Sequence, residues 1–104
     1  MTRAFVLGTM KTKKAAFVVT HQVVDATSIG STVVRTVHAC SDKDALLETE
    51  KLVSRGRTPS IRDVVVRYNT NGIGLAASLG FGELHEGMCG AYADEMVSIS
   101  VRAA

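Results

Sequence analysis

Proline is almost missing from the 104-residue sequence, with Pro59 the single example, and Pro and Gly together supply only ten residues. That excludes a collagen-like or low-complexity chain, and 46% apolar with 21% charged residues is the composition of a folded domain. Long apolar runs are missing too. The longest uncharged stretches, Ala15 to Val24 and Tyr68 to Gly82, are too short or too broken by glycine to span a bilayer as a helix. Residues 1–14 place Arg3, Lys11, Lys13 and Lys14 around a brief apolar patch with no cleavage-site pattern, so no export signal is visible and a cytoplasmic location is expected. Cysteine is scarce. Cys40 and Cys89, in a chain read as cytoplasmic, are expected to be reduced and buried, not bridged. At this length one domain is expected over residues 1–104.

Charge is small in sum and uneven in place. The net charge is +2, yet residues 1–24 hold four cations and no acid, and residues 51–67 hold Lys51, Arg55, Arg57, Arg62 and Arg67 against Asp63 alone. Residues 83–95 reverse the sign, with Glu83, Glu86, Asp94 and Glu95 and no Lys or Arg. Clustered cations mark a candidate phosphate-binding surface, and clustered acids mark a candidate contact for a basic partner.

Local signals predict an α+β fold in the order β-β-β-α-β-(short α)-β, a mainly antiparallel sheet of about five strands with one clear helix at 42–55. Arg3–Met10 and Ala15–Asp25 read as a hairpin with Lys11, Lys13 and Lys14 at its tip. Both faces of Ala15–Asp25 are apolar, as for a strand inside a sheet. Ser31–Cys40 reads as the next strand, antiparallel to it. Ser41 with Asp44 is a weakened capping box, Asp42 and Asp44 suit the positive end of a helix dipole, and Gly56 offers a left-handed stop. Ala45, Leu46, Thr49, Leu52 and Val53 give the apolar stripe, leaving Glu48, Glu50 and Lys51 toward water. Ile61–Tyr68 is predicted as a strand. The six glycines between Gly72 and Gly90 predict an irregular segment with a short helix at Leu75–Leu79. Met96–Val101 alternates and reads as a half-buried strand near or at a sheet edge.

Gly72-Ile73-Gly74, five uncharged residues, then Gly80-Phe81-Gly82 is the most distinctive local pattern. Such a segment lets successive N–H groups approach a phosphate, and Ser78 adds a hydroxyl. The pattern resembles the glycine-rich loop of the CRISPR repeat-associated RNA-binding and repeat-processing proteins. That resemblance implies a ferredoxin-like setting in which Gly72, Gly74, Gly80 and Gly82 face RNA. The element order also resembles a ribonuclease H architecture without its last helix. In that family, acids on the first strand, the first helix and the fourth strand hold two metal ions. Only Glu48 or Glu50 would correspond here, so no nuclease of that type is expected.

Other chemistry has weaker footing. His38 and Cys40 share a strand face, and His85 and Cys89 would share a helical one, but His-x-Cys with His-x₃-Cys is not a usual zinc spacing. Cys89 beside His85 or Glu86 lacks a nucleophile signature. No catalytic residue, metal or cofactor is assigned. The expected function is a non-enzymatic protein-binding module. Its partner would be another protein or complex, or a second copy in a homodimer. An inhibitor encoded by a phage or mobile element, of the anti-CRISPR kind, belongs to this class. Glu83, Glu86, Asp94 and Glu95 are the candidate partner contacts. The alternative is an RNA-binding protein using Lys11, Lys13, Lys14, Arg55, Arg57 and the four glycines, with Tyr68, Phe81 and Tyr92 available to stack bases.

Overall fold

Strand periodicity separates Phe17, Val19, His21 and Val23 from Val18, Thr20, Gln22 and Val24 and sets the first group, on one face of the first strand, β1 (Ala15–Asp25), toward a core. Hairpin pairing with β2 (Ile29–Ala39) runs from Ala15 opposite Ala39 to Val24 opposite Ile29, with an irregularity between Gln22 and Val24. The computed structural model describes residues 13–25, 29–70, 72–88 and 90–104. The predicted strand Arg3–Met10, Lys11 and Cys89 lie outside these residues. Helix α1 (Asp42–Ser54) follows β2, and β3 (Ile61–Asn69), β4 (Gly72–Gly87) and β5 (Gly90–Ala103) complete one five-stranded sheet. Its order is β2-β1-β5-β4-β3, and every neighbouring pair is antiparallel. The α+β fold class read from the sequence is the observed one.

The helix begins and ends for local reasons. Ser41 is extended, and its hydroxyl accepts from the Asp44 N–H at 3.2 Å, satisfying one of the unpaired donors of the first turn. At the other end Arg55 takes the left-handed conformation (φ 53°), followed by Gly56 at φ 79°. The turn thus starts one residue before the predicted glycine stop. The helix lies over β5 and β4 and reaches β1 and β2. Ala45, Leu46, Thr49 and Val53 are buried against Val19, Leu75, Leu79, Val97, Ile99 and Val101, and the Thr49 hydroxyl donates to the Ala45 carbonyl at 2.9 Å. Each fully buried aliphatic side chain contributes roughly 1.5–3 kcal/mol.

Two helix positions differ from the stripe prediction. Leu52 is exposed, whereas Glu50 is buried at 8% because Arg62, on the helix-facing side of β3, holds its carboxylate through two bonds of 2.6 and 3.0 Å. A long-range ion pair therefore overrides the local pattern.

The larger corrections fall on the last third of the chain. Gly72–Gly87 contains no helix and is a single 16-residue strand. Leu75, Ala77, Leu79 and Phe81 recur at period two and are all buried, and that burial offsets the low strand preference of glycine. Gly74 and Gly80 sit where neighbours approach closely: a Cβ on Gly74 would lie 2.5 Å from the Val101 carbonyl oxygen, and one on Gly80 2.8 Å from the Ala93 Cβ. The predicted edge strand Met96–Val101 is instead the middle of β5, the central strand of the sheet. Its alternation arises because α1 covers only one sheet face. The other face presents Thr20, Ser78, Ser98 and Ser100, and no described element packs on it.

Candidate functional site

Pairing with the flanking strands stops before the β4–β5 hairpin does. β3 leaves β4 at Gly80 and β1 leaves β5 at Glu95, while β4 and β5 continue together from Leu84 opposite Ala93 to Gly87 opposite Gly90. Residues 82–88 and 90–94 therefore form a two-stranded arm with no described strand on either side. A ribbon of this kind is marginal by itself in water, so its own side chains must hold it.

The lock sits at the root of the arm. Between Phe81 and Leu84 the register shifts, so that β4 carries an extra residue opposite Asp94. Gly82 adopts φ 93° there, and a Cβ at this position would lie 2.7 Å from Asp94 Oδ2. With that space open, the Glu83 N–H donates to Asp94 Oδ2 at 2.8 Å and His85 Nε2 donates to Asp94 Oδ1 at 2.6 Å. The bond from His85, and after it the one from the Glu83 backbone, holds the Asp94 carboxyl below the usual carboxylate range. His85 also lies against Tyr92, with ring centroids 5.2 Å apart. Beyond this lock the arm carries apolar side chains: Met88 at its turn is fully exposed, Leu84 is 53% exposed on one face of the ribbon, and Tyr92 is 40% exposed on the other, beside His85.

A second clasp ties the root to the helix. Arg57 forms two bonds of 3.2 Å to Glu95, donates to the Ser54 and Val53 carbonyls, and places its guanidinium 4.1 Å from the centre of the Phe81 ring. Its position after the last turn suits a cation at the negative end of the helix dipole.

The candidate residues divide accordingly. Glu83, Glu86 and Asp94 are together on the arm, while Glu95 is engaged by Arg57. Arg57, proposed from sequence as a phosphate contact, is committed to that clasp. Lys13 and Lys14 precede β1, whereas Arg55 neighbours Val23 at its far end, roughly 26 Å away at the usual strand rise. The structure does not bring these cations together. Gly72, Gly74, Gly80 and Gly82 lie along β4 and form no loop. Of the aromatic candidates, Phe81 is core, and Tyr68 and Tyr92 are exposed.

His38 and Cys40 lie at the end of the sheet opposite to His85, so they do not join it in a zinc site. Cys40 is exposed, contrary to the buried reading, because it sits in the surface connection between β2 and the helix cap. The set that does converge is Glu83, His85 and Asp94, whose ligating atoms lie within 4.8 Å of one another. Both Asp94 oxygens already accept a protein hydrogen bond, which accounts for the cluster as the lock of the bulge. Sequence reading grouped the acids but missed His85 as their partner. The available signal was Gly82, a glycine followed by alternating polar residues, which marks a bulge once a strand is assigned.

Among the described residues no helix is long and apolar enough to cross a membrane. Comparison of the chain with protein-family models, with curated proteins and with solved structures gives no match.

Proposed function

We propose that this chain is a non-enzymatic protein-binding module whose contact element is the β4–β5 arm. The observation that carries this reading is the exposure of Leu84, Met88 and Tyr92 on a ribbon that projects past its neighbours and is held in shape by the Asp94 lock. A contact element ordered before binding loses less conformational entropy on docking. Glu83 and Glu86 flank the apolar tip, so the matching surface is an apolar cleft with a basic rim on another protein. Such an arm suits an inhibitor that occupies a partner's cleft. The same acids repel nucleic-acid phosphates, which supports protein over RNA as the partner of this element.

The test is photo-crosslinking from position 91, an exposed site on the same arm, in host lysate, with and without nuclease, followed by mass spectrometry. One nuclease-resistant adduct with a defined protein is expected, and its yield should fall at least about tenfold in Leu84→Glu/Met88→Glu, since burying unpaired charge in a contact core costs several kcal/mol. An adduct that vanishes with nuclease, or one that the double variant leaves unchanged, overturns the reading.

A further inference from the structure

The strand at the β4 side of the sheet, β3, is bare on its outer edge. Among the described residues nothing pairs with that edge, and the strand is nine residues long, free of proline and paired with β4 from Ile61 to Asn69 without a bulge. Natural sheets usually blunt such an edge, because its free N–H and C=O groups are a template for another strand. The helix does not shield it either. Val66 and Tyr68, on the helix-facing side, are 54% and 76% exposed, and Val65 on the opposite side is 49% exposed. Beside the edge, α1 and β3 flank a mainly apolar groove of about 270 Å³ lined by Leu46, Leu47, Val64, Val66 and Leu75 together with Lys43 and Arg62.

The order of residues on β3 selects what can pair there. We infer that β3 is the interface of a homodimer, in which it pairs antiparallel with β3 of a second copy about a two-fold axis at Val65. Antiparallel pairing about Val65 sets residues equidistant from it opposite one another: Val64 meets Val66, Asp63 meets Arg67, Arg62 meets Tyr68 and Ile61 meets Asn69. Because the axis repeats each contact, two Asp63–Arg67 ion pairs form on the sheet face away from α1. On the helix-facing side, Val64 and Val66 of the two copies make a continuous apolar strip that closes the groove. Glu50 holds Arg62 in place there, where its guanidinium meets the exposed Tyr68 ring of the other copy.

This self-complementarity is a property of the sequence of β3 and not of edges in general. The other edge strand, β2, has Arg35 as its only charged residue, and pairing about its centre at Val34 would set Arg35 opposite Val33 and Thr32 opposite Thr36. No opposite charges meet there. An isologous interface requires a patch that matches itself, and of the two edges β3 has that match. The result is a continuous ten-stranded sheet with both arms left free. Pairing at this edge is therefore independent of the arm as a binding element.

The charge pattern supplies its own test by sedimentation equilibrium. The wild-type chain is expected to dimerise. Asp63→Arg places a second arginine opposite Arg67 at both symmetry-related contacts, and Arg67→Asp places a second aspartate opposite Asp63 at both. Each single variant should therefore weaken dimerisation at least about tenfold, since like charges placed directly opposite destabilise a strand pair. The double variant Asp63→Arg/Arg67→Asp restores opposite signs and should dimerise again. An equimolar mixture of the two single variants should form a heterodimer that neither forms alone. Both positions are exposed, and unchanged circular dichroism with a cooperative melt would confirm that the variants fold. A monomeric wild type overturns the inference, as does a dimer indifferent to both single changes. Leu84→Glu/Met88→Glu should leave the dimer intact, which separates failure of this interface from failure of the arm.

Discussion

Arg62 and Glu50 show what one residue pair contributes when its partners come from distant elements. The Glu50 side chain is 11% exposed and the Arg62 side chain 47%, so the carboxylate depends on the guanidinium for its hydrogen bonds more than the reverse. Arg62→Leu leaves that carboxylate nearly buried without a partner. It should destabilise the fold by about 1–2 kcal/mol, less than a fully enclosed pair because water reaches the arginine. Replacing both, as Glu50→Leu/Arg62→Leu, should recover most of that loss, since two apolar groups leave no charge stranded. Urea denaturation of the wild type, the single and the double variants measures this. A double variant no more stable than the single one would show that the ion pair has no such role. The pair was not legible in the sequence because helix periodicity places Glu50 only relative to its own helix. Nothing local in β3 reveals that Arg62 would face it.

At the scale of elements, the arm depends on Asp94 being ionised. The carboxyl of Asp94 titrates below its unfolded value of roughly 3.9. Its contribution to arm order is thus complete above that value and is lost as pH falls through the lowered folded value. The Glu83 amide should lose its downfield NMR shift and its protection from exchange over that acid range, while core amides of β5 remain protected. Asp94→Ala, which leaves no acceptor at this site, should remove the pH dependence by exposing the Glu83 amide at neutral pH. A Glu83 amide indifferent to both changes would sink the lock. Elements with strong local signatures were readable in advance. Valine-rich runs gave β1, β2 and β3, and Ser41, Asp42 and Asp44 gave the start of α1. β4 was not readable in the same way, because its glycines weigh toward a loop while the burial that outweighs them comes from β5 and α1. The acids of the arm could be grouped from sequence, but their union with His85 follows only from the register across the hairpin, with Gly82 opening the space.

For the whole molecule, the order of strands is the part that sequence periodicity does not reach. Half-buried alternation in β5 describes one covered face equally well at the centre or the edge of a sheet, and only the pairing of β5 with both β1 and β4 decides between them. That pairing also governs how the chain finds its fold. β1–β2, β3–β4 and β4–β5 are hairpins between consecutive strands, whereas β1 meets β5 by joining Phe17 to Ala103 and Asp25 to Glu95, near the two ends of the described chain. Closing so long a loop costs entropy before the seam's contacts form, and topologies with such contacts fold slowly. The rate-limiting step should be the docking of the β1–β2 hairpin onto a preassembled β3–β4–β5 meander. Val19→Ala, at the seam opposite Val101, should then slow refolding and speed unfolding in stopped-flow experiments, whereas Val66→Ala in β3, whose pairing precedes docking, should leave the unfolding rate nearly unchanged. Equal effects at the two sites would rule out that order of assembly. Until the seam closes, β1 and β5 both expose free strand edges, and the half-assembled chain is the species most exposed to aggregation during synthesis.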